Sequence, residues 1–334
     1  MKPVNTLFKY TLPFMALSFS SLALAADKVT FQLDWLPGGD KAPVYVGVQE
    51  GFFAQEDLDV TIKVGKGSSD ALTKLSAGHA DIGSSDIVSL LTAKANGQVP
   101  VEAIYSYYSK APYAFYVTGD SGIDSIKDVG GKTIVTSPFT SENIFLPLLY
   151  KKNNVSADSI KLVKADPGAL NSMLIRGQAD VMVSWVTDQA DYRTQAEEAG
   201  KTLKVLPWYD AGLEFYSSSI VASDRFIKDH PDVVKRFVKA YAKAVAFTWA
   251  NPEKSAQDIH AMVPEVAVED ATNTINSMKG LVFNEVSDKY GMGSFDPQRL
   301  KDTWVATANA LEINVDKLDP ENAVNRSFIP TTTN

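Results

Sequence analysis

Short apolar runs alternate with amphipathic stretches along most of the chain, and this pattern is typical of strands and helices that take turns. Such alternation predicts an α/β protein in which helices cover a sheet on its faces. The predicted strands are residues 29–33, 58–64, 80–83, 99–105, 113–118, 132–136, 160–164, 181–184, 203–206 and 217–222. The predicted helices between them are residues 42–50, 68–77, 86–95, 141–152 and 188–198, a segment that opens at Asp166-Pro167 and a single turn at 125–129.

Two halves of this pattern resemble each other. Leu-Ser-Ala-Gly-His-Ala-Asp at 75–81 returns as Leu-Ile-Arg-Gly-Gln-Ala-Asp at 174–180, and each copy reads as a helix end, a glycine cap and the entry to a buried strand. The alternative to an internal repeat is that Leu-x-x-Gly-x-Ala-Asp is a generic joint between a helix, a glycine and a strand. A polar cluster follows each copy, Ser84-Ser85-Asp86 in one and Ser184-Trp185 with Asp188 in the other. Two similar lobes with polar strand ends predict a ligand shared across a cleft.

The pattern changes after residue 206. Pro-Trp-Tyr-Asp-Ala-Gly at 207–212 suggests a crossover, and after the strand at 217–222 helices dominate, with an amphipathic stripe at 233–248. One strand followed by helices cannot form its own sheet, so we expect this part to return to the first lobe. We therefore predict lobe 1 as residues 26–110 plus 213–334 and lobe 2 as residues 111–212. The two crossing segments, near 107–112 and 207–214, would act as a hinge.

The ends and the composition narrow the class of protein. Residues 1–25 have the basic start, the short apolar run and the Ala23-Leu24-Ala25 site of a signal peptide, so we expect cleavage after Ala25 and a periplasmic location. The absence of cysteine excludes disulfides and thiolate metal sites. The net charge of -8 and pI ≈ 5.0 argue against nucleic acid or anionic membrane as a partner. We expect no membrane insertion and a monomer.

The motifs of common catalysts are missing. Gly65-Lys66-Gly67 lacks the third glycine of a dinucleotide-binding loop, and neither a Gly-x-Ser-x-Gly elbow nor a His-Glu-x-x-His helix occurs. The three histidines lie far apart in the sequence, which leaves a catalytic triad or a zinc site without members. We therefore expect no catalytic residue, no metal and no cofactor.

Other polar and aromatic residues suggest that the protein binds a ligand. Aromatic side chains at strand ends and crossovers favour a planar or cationic ligand, and the acids beside them favour a ligand with donor groups. Hydroxyls at 137–141 precede a helix, where they either cap it or hold a ligand acceptor or anion. An anionic ligand would need bases, and only Lys41, Lys110 and Arg193 lie near. The candidate ligand-binding residues are Asp34, Trp35, Lys41, Ser84, Ser85, Asp86, Tyr107, Ser137, Thr140, Ser141, Trp185, Asp188, Glu214 and Tyr216.

Several segments resemble a known family. Asp-Trp-Leu-Pro at 34–37, Glu-Gly-Phe-Phe at 50–53, Gly-Ser-Ser-Asp-Ala at 67–71 and Ile-Lys-Asp-Val-Gly-Gly-Lys-Thr at 126–133 resemble periplasmic substrate-binding proteins of ABC importers. The group is the thiamine-pyrimidine-synthase-like one, within the superfamily of sulfonate, taurine and nitrate binders. The resemblance implies the type II two-lobe fold, in which each lobe is a mixed sheet flanked by helices, a two-segment hinge, a small ligand between the lobes and a membrane permease as partner.

The resemblance also bears on the ligand. Pyrimidine-precursor binders carry an aromatic residue, an Asn and a His where this chain has Leu36, Gly38 and Lys41, whereas Trp185 and Asp188 match their second-lobe tryptophan and acid. This implies a thiamine-pyrimidine precursor or a related heterocycle, with a sulfonate, taurine or nitrate-like anion as the alternative. A fungal synthase of the family consumes its own histidine and needs a cysteine-rich motif. Lys41 and the lack of cysteine therefore favour a receptor over an enzyme.

Overall fold

The computed structural model describes residues 26–97, 99–213 and 215–329. The predicted signal peptide and Glu214 lie outside the described residues. The strands are β1 Asp27–Gln32, β2 Leu58–Lys63, β3 Ile82–Asp86, β4 Val101–Ser106, β5 Tyr113–Thr118, β6 Thr133–Thr136, β7 Lys161–Lys164, β8 Val181–Trp185, β9 Leu203–Pro207 and β10 Ser218–Ser223. The helices are α1 Ala42–Gln49, α2 Ser68–Ser76, α3 Ile87–Ala95, α4 Glu142–Lys152, α5 Pro167–Ile175, α6 Gln189–Glu198, α7 Asp224–Asp229, α8 Pro231–Ala250, α9 Pro252–Met262, α10 Val268–Ser277, α11 Lys279–Val282, α12 Glu285–Tyr290 and α13 Pro297–Ala310.

The strands form two five-stranded sheets with the same topology. The first has the order β2-β1-β3-β10-β4 and the second the order β7-β6-β8-β5-β9. In each sheet the first three strands are parallel, and the fourth is antiparallel to both of its neighbours. β10 and β5 hold the same place in their sheets, and each follows a crossover between the sheets. The two-lobe α/β fold predicted from the sequence is confirmed.

The internal repeat has a structural cause. The Asp81 carboxylate accepts a hydrogen bond from the Thr30 amide at 2.8 Å, and the Asp180 carboxylate accepts one from the Thr133 amide, also at 2.8 Å. The Asp81 and Asp180 amides donate back to the same two threonines. Each aspartate therefore fixes the start of the third strand in its sheet to the neighbouring second strand, β3 to β1 and β8 to β6. The glycine before each aspartate-bearing strand has a positive φ, +74° for Gly78 and +69° for Gly177, as a helix cap requires.

The third strand of each sheet extends further than the sequence pattern predicts. Ser84, Ser85 and Asp86 were expected to follow a strand that ends at residue 83, but they are the last three residues of β3. They stay in the sheet because β10 pairs with them in antiparallel register, Ser218 opposite Asp86 and Ser219 opposite Ser85. The polar residues therefore lie on a rigid strand, and their side chains are buried.

The C-terminal helices cover the first sheet. The apolar stripe predicted for 233–248 forms the buried face of α8, where Phe237 stacks on Phe53 with ring centroids 4.9 Å apart. The last described segment is bound to the same lobe, since the Asn325 amide donates to the Ala103 carbonyl at 2.8 Å. None of the helices that the structure describes is long and apolar enough to cross a bilayer.

The two lobes are in contact across the cleft. The Ser69 amide of the first lobe donates to the Phe139 carbonyl of the second at 3.1 Å. The Ser137 hydroxyl donates to the Lys66 carbonyl at 2.9 Å, and the Lys66 ammonium pairs with Asp166 at 3.2 Å. These bonds close one side of the cleft. On another side, the Thr274 hydroxyl of α10 donates to the Thr187 carbonyl, which follows β8, at 3.1 Å.

Candidate functional site

A pocket lies between the lobes, where the carboxyl ends of β1, β3, β6 and β8 converge. Its empty space is about 270 Å³, part of it open to solvent, and both lobes contribute to its wall. Its lining residues are Asp34, Trp35, Gly67, Ser68, Thr140, Glu142, Ser184, Trp185 and Asp188. Carboxyl ends of strands at the point where two lobes meet are the usual place for a ligand in an α/β protein.

A buried charge cluster supports the first-lobe wall. The Lys41 ammonium lies 2.8 Å from the Asp34 carboxylate and 2.9 Å from the Asp40 carboxylate, and all three side chains are almost fully buried. Burial alone would lower the pKa of Lys41, but the two carboxylates outweigh it and hold that pKa above its ordinary value. The ammonium also lies 5.0 Å from the centroid of the Trp185 ring. Lys41 is thus charged, bound on two sides, and set behind the pocket wall.

Asp40, an acid outside the predicted binding set, is part of this cluster. Burial raises the pKa of its carboxyl, although the neighbouring Lys41 opposes the shift. The Tyr107 and Tyr108 hydroxyls donate to the Asp40 backbone carbonyl at 3.1 and 3.2 Å, and the two rings stack on each other 4.4 Å apart. Tyr107, predicted to contact ligand, therefore lies in the core behind the charge cluster and supports it.

The second-lobe wall carries a half-buried acid, Asp188. The Ser184 hydroxyl and the Trp185 amide donate to its carboxylate, the latter at 3.2 Å. Burial raises the pKa of Asp188, and the negative charge of Asp40 across the cleft raises it further. A ligand that donates a hydrogen bond to the Asp188 carboxylate would offset part of the cost of burying it.

Glu142 is a further acid of the pocket wall and was not among the predicted site residues. It is only 2% exposed, and the Thr140 hydroxyl donates to its carboxylate, with the Ser141 hydroxyl 3.3 Å away. Burial raises the pKa of the Glu142 carboxyl to about 7. An acid at the first position of a helix is common for reasons of helix polarity alone. The sequence therefore contains no signal that separates Glu142 from an ordinary first-turn glutamate.

Asp86 lies beneath the pocket and outside its lining. One carboxylate oxygen accepts hydrogen bonds from the hydroxyls of Tyr113 at 2.6 Å, Ser141 at 3.0 Å and Ser217 at 2.8 Å. The other accepts from the Val88 amide at 2.9 Å. Asp86 is fully buried, and burial raises the pKa of its carboxyl.

The remaining predicted residues have other neighbours. The Ser84 hydroxyl donates to Asp34 at 2.7 Å and so orients an acid of the pocket wall. Ser85 donates to the Asp86 carbonyl, and Ser137 bonds across the lobes without lining the pocket. Tyr216 accepts a hydrogen bond from the Asp296 amide and lies away from the pocket.

Two larger clefts surround the pocket. One, of about 890 Å³, shares Trp35 and Asp188 with it, and its lining in the described residues includes five acids and neither lysine nor arginine. The other, of about 1840 Å³ and open, is lined by Lys110, Arg193 and Lys204 among others. Lys110 and Arg193 therefore line a different cleft from the two tryptophans. Lys41, by contrast, lies close to Trp185 and is bound to Asp34 and Asp40.

Histidines and other potential metal ligands are present in the described residues. No group of three potential metal ligands occurs within the described parts of the chain. His79, His230 and His260 are all exposed, and none of them lines the pocket.

Known proteins share the sequence pattern and the fold. The family described as NMT1/THI5 like matches residues 39–255. The riboflavin-binding protein RibY of Chloroflexus aurantiacus is 25% identical over 313 residues, which cover 91% of this chain and 86% of that protein. A 4-amino-5-hydroxymethyl-2-methylpyrimidine phosphate synthase of Candida albicans is 26% identical over 243 residues, or 70% of each chain.

Among solved structures, the alkanesulfonate-binding protein SsuA of Xanthomonas axonopodis pv. citri, bound to MOPS, superposes with a TM-score of 0.70 at 15% identity. The superposition covers 91% of this chain and 99% of SsuA, so the two share the fold of the periplasmic binding proteins. With the matched family covering more than half of its length, the chain belongs to the NMT1/THI5-like family.

Proposed function

We propose that the chain is the periplasmic solute receptor of an ABC importer and that it captures a small aminopyrimidine between its lobes. The pocket carries the proposal, because it combines two tryptophans, three acids and several hydroxyls from both lobes. In this function residues 1–25 serve as a signal peptide, and a membrane permease receives the closed form from a monomeric receptor.

The tryptophans suit a flat ring. Trp35 comes from the first lobe and Trp185 from the second, so a ring that contacts both is buried only when the lobes close. The empty space of the pocket, about 270 Å³ with its solvent-open part included, is small beside that of the two neighbouring clefts. We therefore place a single ring first among the candidate ligands, and the likeness to RibY keeps the three fused rings of riboflavin among the compounds to test.

The acids suit a ligand with donors. Glu142 and Asp188 are both held in a state that resists ionisation, by burial above all. An exocyclic amino group or a protonated ring nitrogen would relieve that cost by donating to either carboxylate. An aminopyrimidine presents both kinds of donor at the edge of a flat ring.

The same charges disfavour an anion. The pocket lining within the described residues includes three acids and no lysine or arginine. Lys41, the nearest base, already binds Asp34 and Asp40, so a sulfonate would compete with two carboxylates for it. The likeness to SsuA supports the fold and does not extend to a sulfonate ligand.

A synthase activity is the other alternative, since relatives carry that name. In the synthase pattern a histidine stands where this chain has Lys41, and cysteine is absent from the whole sequence. The exposed positions of all three histidines leave the pocket without an imidazole base. We therefore propose binding without turnover.

Calorimetry with a small panel tests the proposal. The panel is 4-amino-5-hydroxymethyl-2-methylpyrimidine, its phosphate ester, riboflavin, taurine and an alkanesulfonate. We expect the free pyrimidine to bind with a Kd of about 1 µM or tighter, near −8 kcal/mol. The phosphate ester should bind at least about 10-fold more weakly, because the adjoining cleft is acidic.

Mass spectrometry of the pyrimidine after incubation with equimolar protein should find it unchanged. Tight binding of taurine or the alkanesulfonate with no binding of the pyrimidine would overturn the ligand class. Chemical conversion of the pyrimidine would overturn the receptor role.

A further inference from the structure

The buried Asp86 carboxylate joins the two lobes. Asp86 ends β3 of the first sheet, whereas two of its hydroxyl donors, Tyr113 and Ser141, belong to β5 and to the start of α4 in the second lobe. We propose that Asp86 is a positioning residue that latches the lobes in the closed state and does not itself contact the ligand. The inference deepens the proposed function, because it rests on a ligand that binds between closing lobes.

Helix capping does not account for this arrangement. Asp86 is the N-cap of α3, and its Oδ1 accepts from the Val88 amide at 2.9 Å. Asn or Ser would cap a helix about as well as Asp. Capping therefore uses one carboxylate oxygen and leaves unexplained why three hydroxyls converge on the other.

The bonds from the second lobe depend on closure. Both crossing segments lie close to Asp86, one before Tyr113 and the other ending at Ser217. On this proposal, rotation about these segments moves the second lobe away, so that the bonds from Tyr113 and Ser141 to Asp86 are exchanged for bonds to water. Contacts that exist in one state only are what shifts an equilibrium toward that state.

The latch is connected to the pocket. Ser141 stands between two acids, since its hydroxyl lies 3.0 Å from Asp86 and 3.3 Å from Glu142. Glu142 and Thr140 line the pocket, whereas Ser141 and Asp86 do not. A ligand that engages Glu142 thus orders the start of α4, which supplies the hydroxyl to the latch.

A pair of matched tyrosine variants tests the latch. Tyr113→Phe removes one hydroxyl from Asp86, and Tyr150→Phe is the control, because the buried Tyr150 hydroxyl has no hydrogen-bond partner among the described residues. We expect Tyr113→Phe to weaken binding of 4-amino-5-hydroxymethyl-2-methylpyrimidine about 10-fold, as the loss of one charged hydrogen bond predicts. Tyr150→Phe should stay within about twofold of the parent.

A distance measurement makes the test independent of the ligand. The chain has no cysteine, so spin labels at Asp59→Cys on β2 and Lys161→Cys on β7 report the interlobe distance without side reactions. These exposed edge strands lie on the side of each sheet away from the crossing segments. In ligand-free protein, Tyr113→Phe should lengthen the mean distance relative to Tyr150→Phe. Equal distances would overturn the latch, and failure of the pyrimidine to bind the parent would overturn the proposed function instead.

A second pair separates latching from folding. Asp86→Ser keeps a capping oxygen and loses the reach to the second lobe, whereas Asp296→Ser makes the same change at the N-cap of α13. We expect Asp86→Ser to lose more stability than Asp296→Ser, because it leaves three buried hydroxyls without their acceptor. Among the folded proteins, only Asp86→Ser should bind the pyrimidine at least about 10-fold more weakly. Equal affinities of the two variants would assign Asp86 to capping alone and overturn the proposal.

Discussion

Replacement of Glu142 by Gln tests whether the pocket acid is held neutral by burial. The pKa of Glu142 is about 7 in the folded protein and about 4.5 in an unfolded chain. Each tenfold difference in proton affinity is about 1.4 kcal/mol, so the ionised form costs the folded state up to about 3 kcal/mol. The side chain is almost completely buried, so solvent screening reduces this figure little.

The direction in which stability changes with pH follows from the protons bound at Glu142 in the folded and unfolded states. Between pH 4.5 and 7 the folded protein holds the Glu142 proton more firmly than the unfolded chain does. The free energy of unfolding of the parent therefore falls as pH rises through this window, whereas the Gln variant lacks this contribution. Below the window both proteins are neutral at this position, and above it the variant should be more stable by up to about 3 kcal/mol.

Urea unfolding of the ligand-free protein at about pH 4.5, 6, 7 and 8.5 measures this difference. The change of this difference with pH reports the titration of Glu142 alone. Any packing defect that the amide introduces would alter the free energy of unfolding by the same amount at every pH. The control is Glu253→Gln, an exposed acid in the first turn of α9, which should differ from the parent by less than about 0.5 kcal/mol throughout. A difference between Glu142→Gln and the parent that does not vary with pH would refute the reasoning.

Four further variants address the pocket and closure. Trp185→Ala should weaken pyrimidine binding at least about 10-fold in calorimetry, since it removes one stacking face. Asp188→Asn should cost about 1.5–3 kcal/mol of binding free energy in the same assay if its carboxylate accepts a donor. Lys41→Met should lower the free energy of unfolding by about 3–5 kcal/mol in urea, because two buried aspartates lose their partner. Gly67→Ala should hold the lobes apart in small-angle scattering with ligand, since its Cβ would lie 2.4 Å from the Phe139 carbonyl oxygen.

Local patterns were sufficient to predict the fold. Alternating apolar runs located the strands, and the Ala-Asp repeat marked equivalent joints, because in each copy the aspartate binds the backbone of a neighbouring strand. The strand ends were less predictable. Ser84, Ser85 and Asp86 look like a loop in the sequence, and they are held in β3 by pairing with β10, more than a hundred residues away.

Contacts between distant segments explain the limits of the site prediction. The donors to Asp86 are 27, 55 and 131 residues away in sequence, and no local spacing connects them. Tyr107 and Tyr216 have the composition of a binding surface, yet their hydroxyls bond backbone groups behind the pocket or away from it. Glu142 was missed because its sequence context is that of an ordinary first-turn acid, and its burial is set by tertiary packing.

Lys41 links the charge of the pocket to its proposed role. The family resemblance implies a histidine at this position in proteins that consume it, and a lysine bound to Asp34 and Asp40 offers no such chemistry. The same two ion pairs offset negative charge of Asp34 and Asp40 in the first lobe. Among the acids that line the pocket, Glu142 and Asp188 form no ion pair with a lysine or arginine of the described residues. A ligand that donates to these two acids completes the charge balance of the closed pocket, whereas an anion would increase its excess of negative charge. Under the proposed function, the lysine at position 41 therefore fits a receptor for a donor-rich ligand better than a synthase that consumes a histidine.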